Sequence, residues 1–136
     1  METMHVEIVT PEQLLATETV DMVVLPGVDG DFAVAHGHSA LIAALRPGLV
    51  IFYKNGVHIK RLFIDQGISE ITPTMCRILV SQAVDLNNLT AGDLDQKIKD
   101  LKDEIKVSQN KEEQEILTHK LTFVESQLVS LSNTIY

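Results

Sequence analysis

The 136-residue sequence predicts an α+β protein, with an N-terminal β-sandwich over residues 1–88 and an antiparallel α-helical hairpin over residues 89–136. Three observations predict it. Up to Asn88, short β-branched runs alternate with turns built on Gly, Pro and Asn, the texture of a sandwich or barrel. Beyond Thr90 there is no proline, and beyond Gly92 no glycine. In that second half the apolar residues recur at steps of three and four, the period of an amphipathic helix.

In chain order, His5-Val6-Glu7-Ile8-Val9 sets Val6 and Ile8 on the opposite parity to Glu7, as a half-buried strand requires. Residues 20–25 read as one apolar strand stopped by Pro26-Gly27. The run from Leu25 to Leu41 carries Gly27, Gly30 and Gly37 with His36 and His38. Glycine at that density marks turns that need positive φ or close approach of another chain segment. A further turn follows at Arg46-Pro47-Gly48. Residues 49–53 and 57–64 flank Lys54-Asn55-Gly56, and Asn-Gly is the strongest short signal for a type I′ hairpin. Residues 68–71 and 77–81 flank Thr72-Pro73-Thr74 as another strand pair.

In the helical half, Leu94, Ile98, Leu101 and Ile105 form one stripe, and Leu117, Leu121, Val124, Leu128 and Leu131 a second. Asp93 with Gln96 reads as a capping box for the first helix. Asn110 with Glu113 reads as the cap of the second, after Ser108-Gln109-Asn110.

Composition excludes several functions. The net charge of −8 is spread over both halves, −5 in residues 1–89 and −3 in 90–136, so neither offers a basic face to nucleic acid or anionic lipid. With no tryptophan and 4% aromatic residues, base-stacking platforms are not expected. Cys76 is the single cysteine, which rules out an internal disulfide, and its strand-like setting predicts a buried structural thiol. No leader pattern is read at residues 1–10, and no stretch approaches the roughly 18 apolar residues of a membrane span. Any membrane association is expected to come through a partner.

Candidate chemistry is sparse. His36 and His38 beside Asp29 and Asp31 are the one grouping that invites a metal, yet histidines two apart in a turn lack the rigid helical spacing of hydrolytic zinc motifs. Ser39 follows His38 directly, and adjacent side chains seldom converge as nucleophile and base. Gly27 and Gly30 lack both the dinucleotide fingerprint and the Lys-Ser/Thr ending of a phosphate loop. Turns between sandwich strands account for all three.

The order Leu25-Pro26-Gly27, then Gly30, then Gly37-His38-Ser39-Ala40-Leu41 and Leu45-Arg46-Pro47-Gly48 resembles the epsilon subunits of bacterial F-type ATP synthases, equivalent to delta in mitochondria. The opening residues 5–12 and the strand Gln66-Gly67-Ile68-Ser69-Glu70-Ile71 are similar to that family too, so the resemblance spans essentially the whole chain. It implies a non-catalytic central-stalk rotor subunit without a cofactor, its sandwich at the foot of the stalk between the gamma subunit and the c-ring, passing torque to the catalytic head. It further implies a c-ring contact at Asp29, Gly30, Asp31 and Phe32, with Asp31 meeting basic loop residues, and a gamma contact at His38, Ser39, Ala40 and Leu41. The hairpin would reach the alpha and beta subunits. The site would be the cytoplasmic face of the bacterial inner membrane, or the matrix face in an organelle.

Several positions depart from the family pattern: Ala33 stands where glycine is usual, His36 where proline is, and Gln66-Gly67 replaces a glycine pair. Some members bind ATP through a motif of Ile or Leu, Asp, two residues, then Arg-Ala. Here Leu94 and Asp95 match, but Ile98 and Lys99 replace Arg and Ala, removing the bidentate phosphate partner. Tight ATP binding is therefore not expected. The second helix has only Lys111, His119 and Lys120 as cations before its polar ending at residues 130–136, so inhibition of hydrolysis by the hairpin is expected to be weak. Two other readings are a stand-alone protein-binding adaptor and, more remotely, a small metal-dependent enzyme using His36 and His38.

Overall fold

Among the described residues, ten strands precede two α-helices: β1 (Met4–Val9), β2 (Leu14–Val20), β3 (Met22–Gly27), β4 (Gly30–Ala35), β5 (Leu41–Leu45), β6 (Gly48–Lys54), β7 (Val57–Ile64), β8 (Gly67–Ile71), β9 (Met75–Val80) and β10 (Ala83–Asp85), then α1 (Ala91–Val107) and α2 (Lys111–Ser132). The computed structural model describes residues 2–132. It divides into two units, Met1–Leu86 and Asn87–Tyr136.

The strands form one hydrogen-bonded path, β10-β7-β6-β3-β5-β8-β9-β1-β2, with β4 on the other side of β3. The path folds into two five-stranded layers, β4-β3-β6-β7-β10 and β5-β8-β9-β1-β2, joined where Gly27 of β3 pairs with Leu45 of β5. Neighbours are antiparallel except β1 and β9, which run parallel. Val23, Leu25, Val34, Val50, Phe52, Leu62 and Ile64 from one layer meet Val6, Ile8, Leu45, Ile71, Cys76, Ile78 and Val80 from the other in a single apolar core. Alternation explains it: Met4, Val6 and Ile8 are buried while His5, Glu7 and Val9 are only partly so. The Cys76 thiol is wholly buried, and desolvation pushes its pKa up from 9.0 to about 12.

The expected β6–β7 hairpin is present. Asn55 (φ 54°) and Gly56 (φ 77°) both occupy the left-handed region that a type I′ turn demands. Other expectations need correction. Residues 20–25 are not one strand, since Val20 ends β2 and Met22 begins β3. Asp21 takes the corner, donating its N–H to the Tyr53 carbonyl (3.0 Å) and accepting from the Asn55 N–H through Oδ2 (2.6 Å). The turn-rich segment holds a full strand, β4, in which buried Val34 and half-buried Phe32 alternate with exposed Asp31, Ala33 and Ala35.

In the helical unit, α1 and α2 pack against each other across a three-residue connection, which turns the chain back antiparallel. Leu94, Ile98, Leu101 and Ile105 are buried or half-buried while their neighbours are exposed. Leu117, Leu121, Val124, Leu128 and Leu131 along α2 are also buried or half-buried, and Phe123 and Gln127 beside them are buried too. Asn110 caps α2, its Oδ1 accepting from the N–H of Glu112 (2.8 Å) and Glu113 (3.3 Å). The cap of α1 is Thr90 rather than Asp93: Thr90 is extended (φ −124°, ψ 144°) and its hydroxyl accepts from the Asp93 N–H. Gln96, expected to reach back in the capping box, donates instead to Asp100 one turn on (2.8 Å). Of the polar ending expected at 130–136, residues 133–136 lie outside the described residues.

Candidate functional site

The β3–β4 turn is the first candidate surface. Gly27 pairs with Gly30 at the mouth of the hairpin, leaving Val28 and Asp29 as the two exposed tip residues. Gly30 has φ 133°, open to glycine and rarely to other residues. Gly27 is glycine for a different reason. A Cβ there would sit 2.7 Å from the Gly30 carbonyl oxygen and 2.9 Å from the Phe32 ring. Phe32 therefore folds back over Gly27 and packs on the core, so of the four residues expected here Asp29, Gly30 and Asp31 are exposed and Phe32 is half-buried. Asp31 pairs with Arg46, Nη2 to Oδ1 at 2.5 Å.

The second candidate lies on the outer face of β5, β8 and β9. His38, Ser39, Ala40 and Leu41 lead into β5; Ser39, Ala40 and Leu41 are exposed, and His38 is half-buried with Nδ1 2.7 Å from the Ser39 carbonyl oxygen. Past them the register carries an apolar row across four strands, β5, β8, β9 and β1. Ala44 faces Ile68, Ile68 faces Leu79 and Leu79 faces Val9, with Ile42 two residues from Ala44 on the same face. Ile42 is 74% exposed and Ile68 47%. Two shallow hollows flank the row. One of about 450 Å³ is lined by Val9, Pro11, Ile68 and Leu79 among others, and one of about 380 Å³ by Ala40, Leu41, Ile42 and Glu70 among others.

The same face turns polar along the strands. Arg77 Nε donates to Glu7 (3.2 Å), His5 lies 3.4 Å from Glu7, and Glu70 sits opposite Arg77 in register. The face thus carries an apolar row on the solvent parity of its strands, bounded by charge. Sequence reasoning stopped at Leu41 and missed Ile42, Ile68 and Leu79. The available signal was apolar residues on both parities of residues 41–45 and 67–71, the pattern of a strand covered on both faces.

The histidines of the turn-rich segment do not converge. His36 Nδ1 is 2.8 Å from Glu2 Oε2, while His38 meets the Ser39 carbonyl. Among the described residues no group of three His, Cys, Asp or Glu is arranged to hold a metal. No helix among them is long and apolar enough to cross a membrane.

Residues 3–86 match the family model for the β-sandwich domain of the ATP synthase delta/epsilon chain. An ATP synthase epsilon chain of Rhodospirillum rubrum is 42% identical over 89 residues, covering 65% of this chain and 66% of that one. Longer alignments join epsilon chains of Rhodospirillum centenum (35% over 127 residues; 90% and 87% covered) and Magnetococcus marinus (37% over 131; 95% and 94%). The fold is similar to a chain of the Euglena gracilis mitochondrial ATP synthase OSCP/F1/c-ring structure, at a TM-score of 0.76 and 16% identity, with 96% of this chain and 82% of that one covered. It is also similar to a chain of the Tetrahymena thermophila mitochondrial ATP synthase central stalk and c-ring, at 0.55 and 13%, with 98% and 96% covered. The sandwich over residues 3–86, followed by a two-helix hairpin, is that of an epsilon-type chain, and the protein belongs to the delta/epsilon chains of ATP synthase.

Proposed function

We propose that this chain is a non-catalytic rotor element of the central stalk in a proton-translocating F-type ATP synthase, coupling c-ring rotation to the catalytic head. The observation that carries the reading is the apolar row of Ile42, Ala44, Ile68 and Leu79 on a solvent-facing sheet surface, in a chain of this family. The gamma subunit docks there, with His38, Ser39, Ala40 and Leu41 at the border of the contact. The β3–β4 turn, with Asp29, Gly30 and Asp31 exposed, meets the polar loops of the c-ring. Two separate contacts on one rigid sandwich suit torque transmission, because a close-packed core passes strain between its faces with little compression.

The hairpin contacts the alpha and beta subunits without strong inhibition of hydrolysis, since Lys111 and Lys120 are the only Lys or Arg residues of α2. Association with the membrane is peripheral and indirect, on the cytoplasmic face of the bacterial inner membrane or its organellar counterpart.

The test is purification from native cells in mild detergent through a C-terminal tag. Gamma, alpha, beta and c subunits at near-constant ratio support the reading; a different partner sinks it. An Ile42→Asp variant places a carboxylate in the apolar row, at a residue 74% exposed and outside the core, and lowers gamma recovery at least tenfold.

A further inference from the structure

Arg46 holds both ends of the β3–β4 turn. Its Nη1 donates to the carbonyl of Gly27, the residue before the tip, and its Nη2 to the carboxylate of Asp31, two residues beyond it. Its own N–H donates to the Pro26 carbonyl (2.9 Å), and the Val28 N–H donates to the Ala44 carbonyl (3.1 Å). These bonds bracket the Gly27–Leu45 pair, the seam at which the two layers of the sandwich join. A guanidinium is planar with its donors in fixed directions, so one group that reaches a carbonyl and a carboxylate fixes their relative placement.

We propose that Arg46 is a positioning residue for the β3–β4 turn: it ties the hairpin mouth to β5, balances the charge of Asp31 within the chain, and leaves Asp29 as the carboxylate presented to a cationic partner loop. The proposal rests on the reading of this turn as the c-ring contact, and refines it. Asp31 is engaged at home, so Asp29 takes the role expected of Asp31. An ion pair this exposed adds little to global stability, because water screens it and both side chains lose freedom. The consequence lies in orientation. Without Arg46, two like charges two residues apart repel, and the tip loses the brace between its carbonyl and carboxylate sides.

Two measurements on the full chain test this. In amide exchange, Arg46→Ala raises the Val28 exchange rate at least tenfold while Val6 and Ile78 in the core are unchanged, and Arg46→Lys, with fewer donors, falls between. In the second, Val28→Cys carries a photo-cross-linker, directed there because Cys76 is wholly buried, and the chain is rebuilt into an ATP synthase depleted of this subunit. With Arg46 present the adducts gather on the c subunit; with Arg46→Ala the c adduct falls at least threefold. Unchanged Val28 exchange overturns the positioning role, as does equal c adduct in both backgrounds with the docking of the turn itself intact. Faster Val28 exchange with no c adduct even when Arg46 is present leaves the tether standing and overturns the c-ring reading instead.

Discussion

The two units of this chain are held by different physics. In the sandwich, side chains from two layers close on one another, and Val6, Ile8, Val23, Val50, Phe52 and Ile78 are all 0–1% exposed. In the hairpin each helix presents a single stripe, and along α1 only Leu94 is fully buried, with Ile98, Leu101 and Ile105 half-buried. Sandwich contacts join residues distant in sequence, such as β1 with β9; hairpin contacts depend on local period and caps. Damage to the first unit should therefore be larger per methylene than damage to the second.

The largest expected effect follows directly. Phe52→Ala empties the middle of the sandwich core and should cost about 3–5 kcal/mol, from lost transfer energy and the cavity left behind. Leu101→Ala removes a half-buried side chain from a site that solvent already reaches, and should cost about 1–2 kcal/mol. Urea unfolding of the full-length variants measures both. Equal losses would break the comparison and place the hairpin among fully packed cores.

A smaller effect separates the units by pH. The Cys76 thiol ionises near 9.0 when solvated and near 12 in the folded sandwich, so between those values the unfolded chain has released a proton that the folded chain retains. Folded stability attached to this group is thus complete below pH 9 and declines as pH rises, at about 1.4 kcal/mol per unit at most. Comparing urea midpoints of the wild type and Cys76→Ala from pH 8 to 11 isolates it: the difference between the two should shrink with rising pH. A constant difference would show the thiol to be more hydrated than its burial implies.

How much of this was legible depended on whether one strand carried its own signal. The pattern of β1, the Asn55-Gly56 hairpin and both helical stripes are local, and they stand in the structure as read. Strand β2 went unread because it lies at the edge of its layer, with Leu14 and Leu15 exposed and only Ala16, Glu18 and Val20 facing inward. Strand β4 was hidden by the glycines that flank it. The first cap was displaced by three residues because Thr90-x-x-Asp93 and Asp93-x-x-Gln96 both fit the pattern, and only the backbone of Thr90 chooses between them. At the candidate site, Asp29 and Leu41 were named through the resemblance to epsilon subunits and not through any local pattern of their own. The grip of Arg46 on Asp31 and the row from Ile42 to Leu79 needed strand register, which no single segment contains.

The smallest expected effect tests the local half of the comparison. Asn110 satisfies two of the amide groups that begin α2, those of Glu112 and Glu113, and both glutamates favour the positive end of the helix dipole. Asn110→Ala removes the acceptor and should cost about 1 kcal/mol, while Asn110→Asp keeps an oxygen in place and should cost little. Gln114 Nε2 also ties α2 to the Ser108 carbonyl at the end of α1, so the connection has a second brace that survives either change. The loss from Asn110→Ala should therefore fall on the hairpin alone. It should appear as faster amide exchange in the first turn of α2, with Val6 and Ile78 in the sandwich unmoved. Faster exchange in the sandwich as well would show that the hairpin is not stabilised locally, and the contrast between the two units would lose its physical basis.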